Sequence, residues 1–332
     1  MRIAIVKLSA LGDIVHAMVA LQFIKERFPE CRIDWIVEER FAGVLADNPD
    51  LDGILTVNLK ALKADKSRFL AELQKIRAFA ERNYDRVIDA QGLIKSAIVA
   101  RLIGKKIAGF DAGSSREKAA SWFYSQKIHC AYDANTIDRN ARVLSRPLGF
   151  EIVPEQILNK QPFLFYRNPS SCIDDCLRQD RKNIVLVTGS TWESRNYPAE
   201  SYVKVAEALG QNCLAVWGSE REKARAEWMA AQSEAIKVMP KLDLNDLKAL
   251  IARCDLVIGN DTGPTHMAWA LNRPSLTIFG PTPVSRVYQT GINRVVKSAS
   301  QVNPYKLNKN DFSIREIEPQ IIVQEAARLI ER

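Results

Sequence analysis

Leu256-Val257-Ile258-Gly259-Asn260-Asp261-Thr262-Gly263-Pro264-Thr265-His266 is the stretch on which the fold of this chain turns. It reads as a buried strand, Leu256 to Gly259, then a polar turn, then a helix from Pro264 to Leu271. A sharp strand-to-helix turn gathers free backbone N–H groups and the positive end of a helix dipole at one point, which suits a phosphate. Thr262 supplies a hydroxyl there, and Gly263, lacking a Cβ, lets a ligand approach the backbone. Pro264 fits the first helical position, where no N–H is needed. Taken alone, the segment fits an ordinary capped helix start equally well.

The chain has 332 residues, enough for two cores. Its 47% hydrophobic and 26% charged content is that of a globular protein. No apolar run approaches the roughly 20 residues that span a bilayer. The N-terminal run Met1 to Lys7 is broken by Lys7 and lacks the h-region and cleavage site of a signal peptide, so a cytoplasmic location is expected. The six cysteines are scattered and only three histidines are present, which points to free thiols rather than a zinc site.

The net charge of +8 favours an anionic partner. Lys60, Lys63, Lys66 and Arg68 form one basic cluster, and Lys95, Arg101, Lys105, Lys106, Arg116 and Lys118 a second, both in the first half. A solvated surface explains any single lysine; two clusters in one half point to an acidic ligand on that side. No nucleic-acid motif is present, and none is expected as a partner.

Strand and helix patterns alternate along the chain. Strands are predicted at Arg2–Lys7, Arg32–Val37, Gly53–Asn58, Arg86–Asp89 and Lys106–Phe110, with helices at Gly12–Phe28, Lys66–Asn83 and Lys95–Leu102. The alternation lapses between Phe150 and Asn168, where Pro154 and Pro162 break regular structure, and the interdomain linker is placed there. It resumes with strands at Asn183–Thr188, Asn212–Trp217, Leu256–Gly259 and Ser275–Phe279, and helices at Ala199–Leu209, Arg221–Ser233, Leu244–Arg253 and Glu318–Arg332. The pattern predicts an α/β protein of two doubly wound parallel-sheet domains facing across a cleft, with ligands at the carboxyl ends of the strands.

Four polar or glycine-bearing loops follow predicted strands: Ser9 to Asp13, Asp89 to Gly92, Gly189 to Arg195, and the opening turn. Two from each half is what a two-substrate enzyme needs. Asp13, at a helix start, is either a first-turn acid favoured by the dipole or a general base; a carboxylate, with an ordinary pKa near 4, is ionised at neutral pH. Arg195 beside Ser190 and Thr191 suits a diphosphate, against the alternative of a surface arginine. Glu220 and Glu222, after the strand ending at Trp217, fit either a ribose contact or an acidic first turn. His266, one turn past the glycine, is more simply structural than catalytic.

Together the motifs resemble a known family. Lys7-Leu8-Ser9-Ala10-Leu11-Gly12-Asp13, Asp261-Thr262-Gly263 with His266, and Phe279-Gly280-Pro281-Thr282 are similar to those of the ADP-heptose glycosyltransferases. Asp34 to Glu39 and Ile88 to Ser96 resemble the members that add the first heptose of the lipopolysaccharide inner core. The resemblance runs nearly the whole chain. It implies a GT-B fold, with residues 1–162 plus 318–332 forming an acceptor-binding Rossmann-like domain and 163–317 an ADP-heptose-binding one. The last helix would cross back onto the first domain.

The activity it implies is inverting transfer of L-glycero-D-manno-heptose from ADP-heptose to a Kdo residue of Kdo-lipid A. Asp13 would deprotonate the acceptor hydroxyl, with Ser9, Gly12, Lys60, Lys63, Gln91 and Gly92 on the acceptor side. Thr262, Gly263, Ser190, Thr191 and Arg195 would hold the diphosphate; Glu222, or else Glu220, the ribose; and Leu242 the adenine. Asp261 and His266 would orient the heptose or the loop. No cofactor or metal is expected. The basic residues 60–68 would meet lipid A phosphates or the anionic inner-membrane surface, making the protein peripheral on its cytoplasmic face. The sequence departs from the family in having Arg195 where a lysine is usual and Trp192 where an arginine is. The rivals are transfer of a later core heptose, an epimerase of the same architecture, and a basic nucleic-acid binder.

Overall fold

The computed structural model describes residues 1–59 and 69–331. Lys60, Lys63, Lys66 and Arg68 therefore lie outside the described residues. The chain forms two compact units, Met1–Phe163 and Leu164–Arg332.

The first unit contains β1 (Arg2–Val6), β2 (Arg32–Glu38), β3 (Gly53–Val57), β4 (Arg86–Asp89), β5 (Ile107–Phe110) and β6 (Gln126–Ile128). They form one parallel sheet in the order β3-β2-β1-β4-β5-β6. The second unit contains β7 (Asn183–Val187), β8 (Asn212–Val216), β9 (Ile236–Val238), β10 (Leu256–Asn260), β11 (Ser275–Phe279) and β12 (Asn293–Lys297). Its sheet, read as β9-β8-β7-β10-β11-β12, repeats that order. In each sheet the direction of winding reverses between the first strand and the fourth. Such a switch point opens a crevice at the carboxyl ends of the two strands, where doubly wound proteins bind ligands. The switch points here are β1/β4 and β7/β10.

The central strands are buried on both faces, which explains their near-continuous apolar runs: Ile3 to Val6, Ile184 to Val187 and Leu256 to Ile258 have no more than a few per cent exposure. The three strands unforeseen from sequence, β6, β9 and β12, all lie at sheet edges, where exposed positions interrupt the apolar run. The expected helix Gly12–Phe28 forms as Leu11–Met18 and Ala20–Arg27. All six cysteines are unbridged, and burial pushes the Cys213 and Cys254 thiols up to about 12.

One assignment is corrected. The last helix, Pro319–Ile330, packs in the second unit, not the first: it lies against the helix Ala199–Leu209 and strands β10 to β12. Its stripe Ile322, Ala326, Leu329 enters the same core as Tyr197, Tyr202, Ile258 and Ile278. Tyr197 Oη donates to the Ile317 carbonyl at 2.8 Å, and Arg294 pairs with Glu325 at 2.7 Å. The apolar stripe completes the cover of the second sheet, so residues 319–330 belong to that unit.

Gly259 in β10 is demanded by packing. A Cβ there would stand 2.5 Å from Thr265 Oγ1 and 2.6 Å from Val187 Cβ. Gly259→Ala should lower stability by about 2 kcal/mol, as overpacking does in a filled core, read as a shift of the urea midpoint with unchanged slope. An unchanged midpoint would show that β7 and β10 can separate without cost.

Candidate functional site

In the second unit the sequence-nominated residues gather along one sheet edge. Ser190, Thr191 and Arg195 follow β7; Glu220 and Glu222 follow β8; Leu242 follows β9; Asp261, Thr262, Gly263 and His266 follow β10. All stand beyond carboxyl ends of neighbouring strands, from β9 at the sheet edge to the β7/β10 switch point.

Asp261 is the hub. It is 2% exposed, so its charge needs partners. His266 Nε2 lies 3.0 Å from Oδ1, while Arg195 Nη2 at 2.8 Å and Thr282 Oγ1 at 2.8 Å donate to Oδ2. Arg195 also donates to the Asp261 carbonyl, and Arg286 Nε stands 4.0 Å from Oδ2. Burial pushes the carboxyl pKa up; Arg195, the His266 hydrogen bond and Arg286 outweigh it and hold the group well below the usual carboxylate range. Two guanidiniums share one carboxylate, so the arginines leave a surplus positive charge at the strand ends.

Asn260 fixes the neighbouring loops. Its amide donates to the Thr188 carbonyl at 2.9 Å, and its oxygen accepts from Tyr197 N at 3.0 Å and Tyr202 Oη at 3.3 Å. Thr262 is the N-cap of the helix Gly263–Ala270, yet its hydroxyl makes no capping hydrogen bond. The start of that helix thus has no side-chain cap on its N–H groups, the condition for an anion site. Beside it Thr188 Oγ1, Ser190 Oγ, Ser194 Oγ, Asn196 Oδ1 and Arg286 Nε are buried with no hydrogen-bond partner among the described residues. Buried polar atoms are rarely left so; here they cluster around one loop, as a site for a polar ligand requires.

The loop 188–195 is fastened along its length. Gly189 takes the Glu222 carboxylate against its Cα, with Oε1 only 2.1 Å from where a Cβ would stand. Glu222 Oε2 accepts from Gly218 N at 2.7 Å and Ser219 N at 3.0 Å, so the acid-rich first turn and a ribose contact are compatible readings. Glu193 pairs with Arg221 at 2.5 Å and Arg225 at 3.3 Å. Trp192 carries Arg195 and Lys309 over its ring at 5.5 Å and 5.0 Å. Glu220 is exposed on the helix. Near Leu242, Trp217 donates to the Met239 carbonyl at 2.7 Å, and Lys241 lies 4.5 Å over its ring.

In the first unit the loops after β1 and β4 are neighbours, since Val6 pairs with Asp89. Gln91 Oε1 accepts from Leu8 N at 3.0 Å and Ser9 N at 3.1 Å, tying the two loops together. Gly92 has φ +69°, which favours glycine. Asp13 Oδ2 accepts from Ala10 N at 3.3 Å, a first-turn contact that leaves the side chain half-exposed. Below it Lys7 is buried, donating to the Ala90 carbonyl at 2.7 Å and Asn140 Oδ1 at 3.1 Å. Burial pushes the Lys7 pKa down, and the charges of Asp13 and Asp89 oppose that. Asp89, also buried, has its pKa pushed up by burial despite hydrogen bonds from Tyr124, Gln91, Ser96 and Gly92.

Sequence reasoning assigned no role to Lys7, Thr282, Arg286 or Lys309. Thr282 stood in a quoted motif, but only the pairing of β10 with β11 brings it to Asp261. A surface depression also lies at the amino ends of β7 and β8, lined by Asp174, Arg178, Asp180, Lys182, Arg253 and Asp255. Its charges are mutually paired and it sits at the end of the strands away from the switch point, so it is not the candidate site. Among the described residues no three His, Cys, Asp or Glu side chains gather as a metal cluster.

A family profile described as glycosyltransferase family 9 (heptosyltransferase) matches residues 73–317. Lipopolysaccharide heptosyltransferase 1 of Campylobacter coli is 35% identical over 98% of this chain and 97% of its own. That of Escherichia coli K12 is 30% identical over 93% of this chain and 97% of its own. The solved structure of the E. coli heptosyltransferase WaaC with ADP-2-deoxy-2-fluoro heptose superposes with a TM-score of 0.79 at 26% identity, covering 98% of this chain and 99% of that one. The fold is GT-B.

The hub yields a test. Asp261→Asn should cost about 3 kcal/mol near pH 7, because two arginines lose their buried counter-charge. The depressed pKa fixes the sign: the contribution is full above the unfolded carboxyl value, about 4, and is lost as pH falls below it, because the unfolded chain takes up a proton that folded Asp261 refuses. The gap in urea midpoint between wild type and variant should narrow from pH 6 to pH 3. A gap independent of pH would mean that the charge is not what the site uses.

Proposed function

This chain belongs to glycosyltransferase family 9, the heptosyltransferases, and from that premise we infer that it transfers heptose from ADP-heptose in assembly of the lipopolysaccharide inner core. The acceptor in this reading is a Kdo residue of Kdo-lipid A, and the donor sugar is L-glycero-D-manno-heptose. The observation that carries it is the second unit's strand-end site: an uncapped helix N-terminus, two arginines on one carboxylate, and buried hydroxyls without partners among the described residues, all at one switch point.

The diphosphate lies against the N–H groups of Thr262 and Gly263 with Ser190, Thr191 and Arg195. As the anomeric C–O bond to the diphosphate breaks, negative charge grows on the leaving oxygen. Donors and cations fixed in advance stabilise that charge more than they stabilise the ground state. Arginine at position 195 suits this double duty, since a guanidinium has five donors and can hold Asp261 through one nitrogen while offering others. Glu222 Oε1 receives the ribose hydroxyls, with Glu220 as the alternative, and Leu242 lies against adenine. Asp261 and His266 hold the loop in place.

Asp13 accepts the proton of the Kdo hydroxyl as that oxygen attacks the anomeric carbon from the face opposite ADP. One displacement inverts the centre, so one carboxylate suffices. Ser9, Gly12, Gln91 and Gly92 shape the acceptor side, and Lys60 and Lys63 meet its phosphates. Lys7, buried beneath this loop, balances the charges of Asp13 and Asp89. Cations of the protein neutralise the diphosphate, and no metal is assigned. No helix among the described residues is long and apolar enough to cross a membrane. In this reading the protein acts from the cytoplasmic face of the inner membrane as a peripheral enzyme.

Incubation with ADP-heptose and Kdo-lipid A, with and without chelator, checks the reaction. Wild type should form product at the same rate in both. Asp13→Ala should lose about a thousandfold in turnover, the scale of a general base, with ADP affinity unchanged. ADP-heptose consumed with no acceptor present would overturn the transfer reading, and full activity in Asp13→Ala would remove the base.

The donor site has its own check. Thr262→Val keeps the shape and removes the hydroxyl, and should weaken ADP binding by about 1 kcal/mol, or roughly fivefold in Kd by calorimetry. An equal loss in Asp13→Ala would deny the division of labour between the units.

A further inference from the structure

The second basic cluster of the sequence, residues 95–118, has no part in the site described. It lies on the helix Ile94–Ile103 and the segment leading to the short helix Lys118–Phe123, which pack together on one face of the first sheet. The inward side of these elements is ordinary core: Ala97, Ala100, Ile103 and Ala120 are buried among Val6, Val87 and Ile107. The outward side is unusual. Ile94, Ile98 and Arg101 form one stripe at i, i+4 and i+7, and all are exposed. Trp122 is 82% exposed, the most open of the exposed large apolar side chains. On the adjoining helix Phe69–Ala78, which packs on Ile94–Ile103, Phe69 and Leu70 are also exposed.

Five large apolar side chains open to water on three adjoining elements need a covering partner. The charge around them says which. Lys95, Arg101 and Lys118 are exposed on the same elements. The two acids in this stretch are both engaged: Glu117 Oε2 accepts from Ile94 N at 2.7 Å, and Asp111 pairs with His129 at 2.9 Å. An indole and aliphatic side chains ringed by cations match a bilayer interface, where indoles settle at headgroup depth, aliphatic groups enter the acyl boundary and lysines and arginines meet anionic headgroups. The position fits as well. Ile94 begins the helix directly after the Gln91-Gly92 loop, and Glu117 N donates to the Gly92 carbonyl at 3.4 Å, so the patch continues from the acceptor loops.

We propose that this face, formed by Ile94, Ile98 and Trp122 with Lys95, Arg101 and Lys118, docks on an anionic lipid bilayer. The proposal deepens the reading of a lipid-linked acceptor and rests on it for its purpose. Flotation with vesicles of phosphatidylglycerol and phosphatidylethanolamine, against phosphatidylcholine alone, tests it on the whole chain. Wild type should bind the anionic vesicles at least about tenfold more tightly than the neutral ones, and Ile98→Ser/Trp122→Ser should lose about tenfold on the anionic ones. The blue shift of tryptophan emission on binding should shrink in Trp122→Phe. The double variant should transfer heptose to a deacylated, water-soluble acceptor at the wild-type rate, which shows it folded, and should be slowed on acceptor embedded in vesicles. Equal vesicle binding by wild type and double variant, or a blue shift unchanged in Trp122→Phe, would overturn docking by this face. So would a wild-type dimer that the double substitution dissociates while vesicle binding persists, since the face would then join two copies. Patch-dependent vesicle binding without transfer to any acceptor would uphold docking and defeat the transferase reading instead.

Discussion

A carboxylate with almost no access to water, Asp261, is the constraint around which the second unit is built. An isolated charge in that position would cost several kcal/mol, so the chain must bring cations and donors to it. They come from three places: Arg195 after β7, Thr282 and Arg286 after β11, and His266 from the helix after β10. Meeting the demand of one buried charge therefore sets the relative position of three strand-end loops. The uncapped helix start and the orphaned hydroxyls are held where they are because of it.

The first unit solves a related problem with the opposite sign. Lys7 is a buried cation at the end of β1, satisfied by a carbonyl and an amide rather than by a direct ion pair. Gln91 ties the loop bearing Asp13 to the loop after β4. The two sheets share one strand order, and in both the polar residues collect where that order reverses. The similarity is one of architecture; the chemistry at the two switch points differs, with arginines gathered at one and a half-exposed carboxylate above a buried lysine at the other.

Much of this was legible in the sequence because central strands of a parallel sheet are apolar throughout and end abruptly in polar loops. The loops after β1, β4, β7 and β10 could be found that way. What stayed hidden had specific causes. The edge strands β6, β9 and β12 are short and half-exposed, so their pattern resembles loop. The last helix showed its apolar stripe plainly, but a stripe does not name the surface it will cover, and the resemblance sent it to the wrong unit. Two partners of Asp261, Arg195 and Thr282, lie 66 residues before it and 21 after it, a separation that only strand order closes. Lys7 looked like the polar end of a strand, and nothing local said that it would be buried. Nothing in the sequence singles out Trp122, because exposure is not written in a single residue type.

The loop from Gly189 to Arg195 is pinned at both ends. At one end the missing side chain of Gly189 lets Glu222 lie flat against the backbone; at the other Arg195 is locked to Asp261; in the middle Glu193 is held by Arg221 and Arg225. A segment fastened in this way works as a ruler. In the proposed reading it fixes the span between Glu222, assigned to a sugar hydroxyl, and Arg195, assigned to a phosphate. Nucleotides of the wrong length would be refused by geometry rather than by any repulsive contact, because a ligand that reached one grip would fall short of the other or overshoot it.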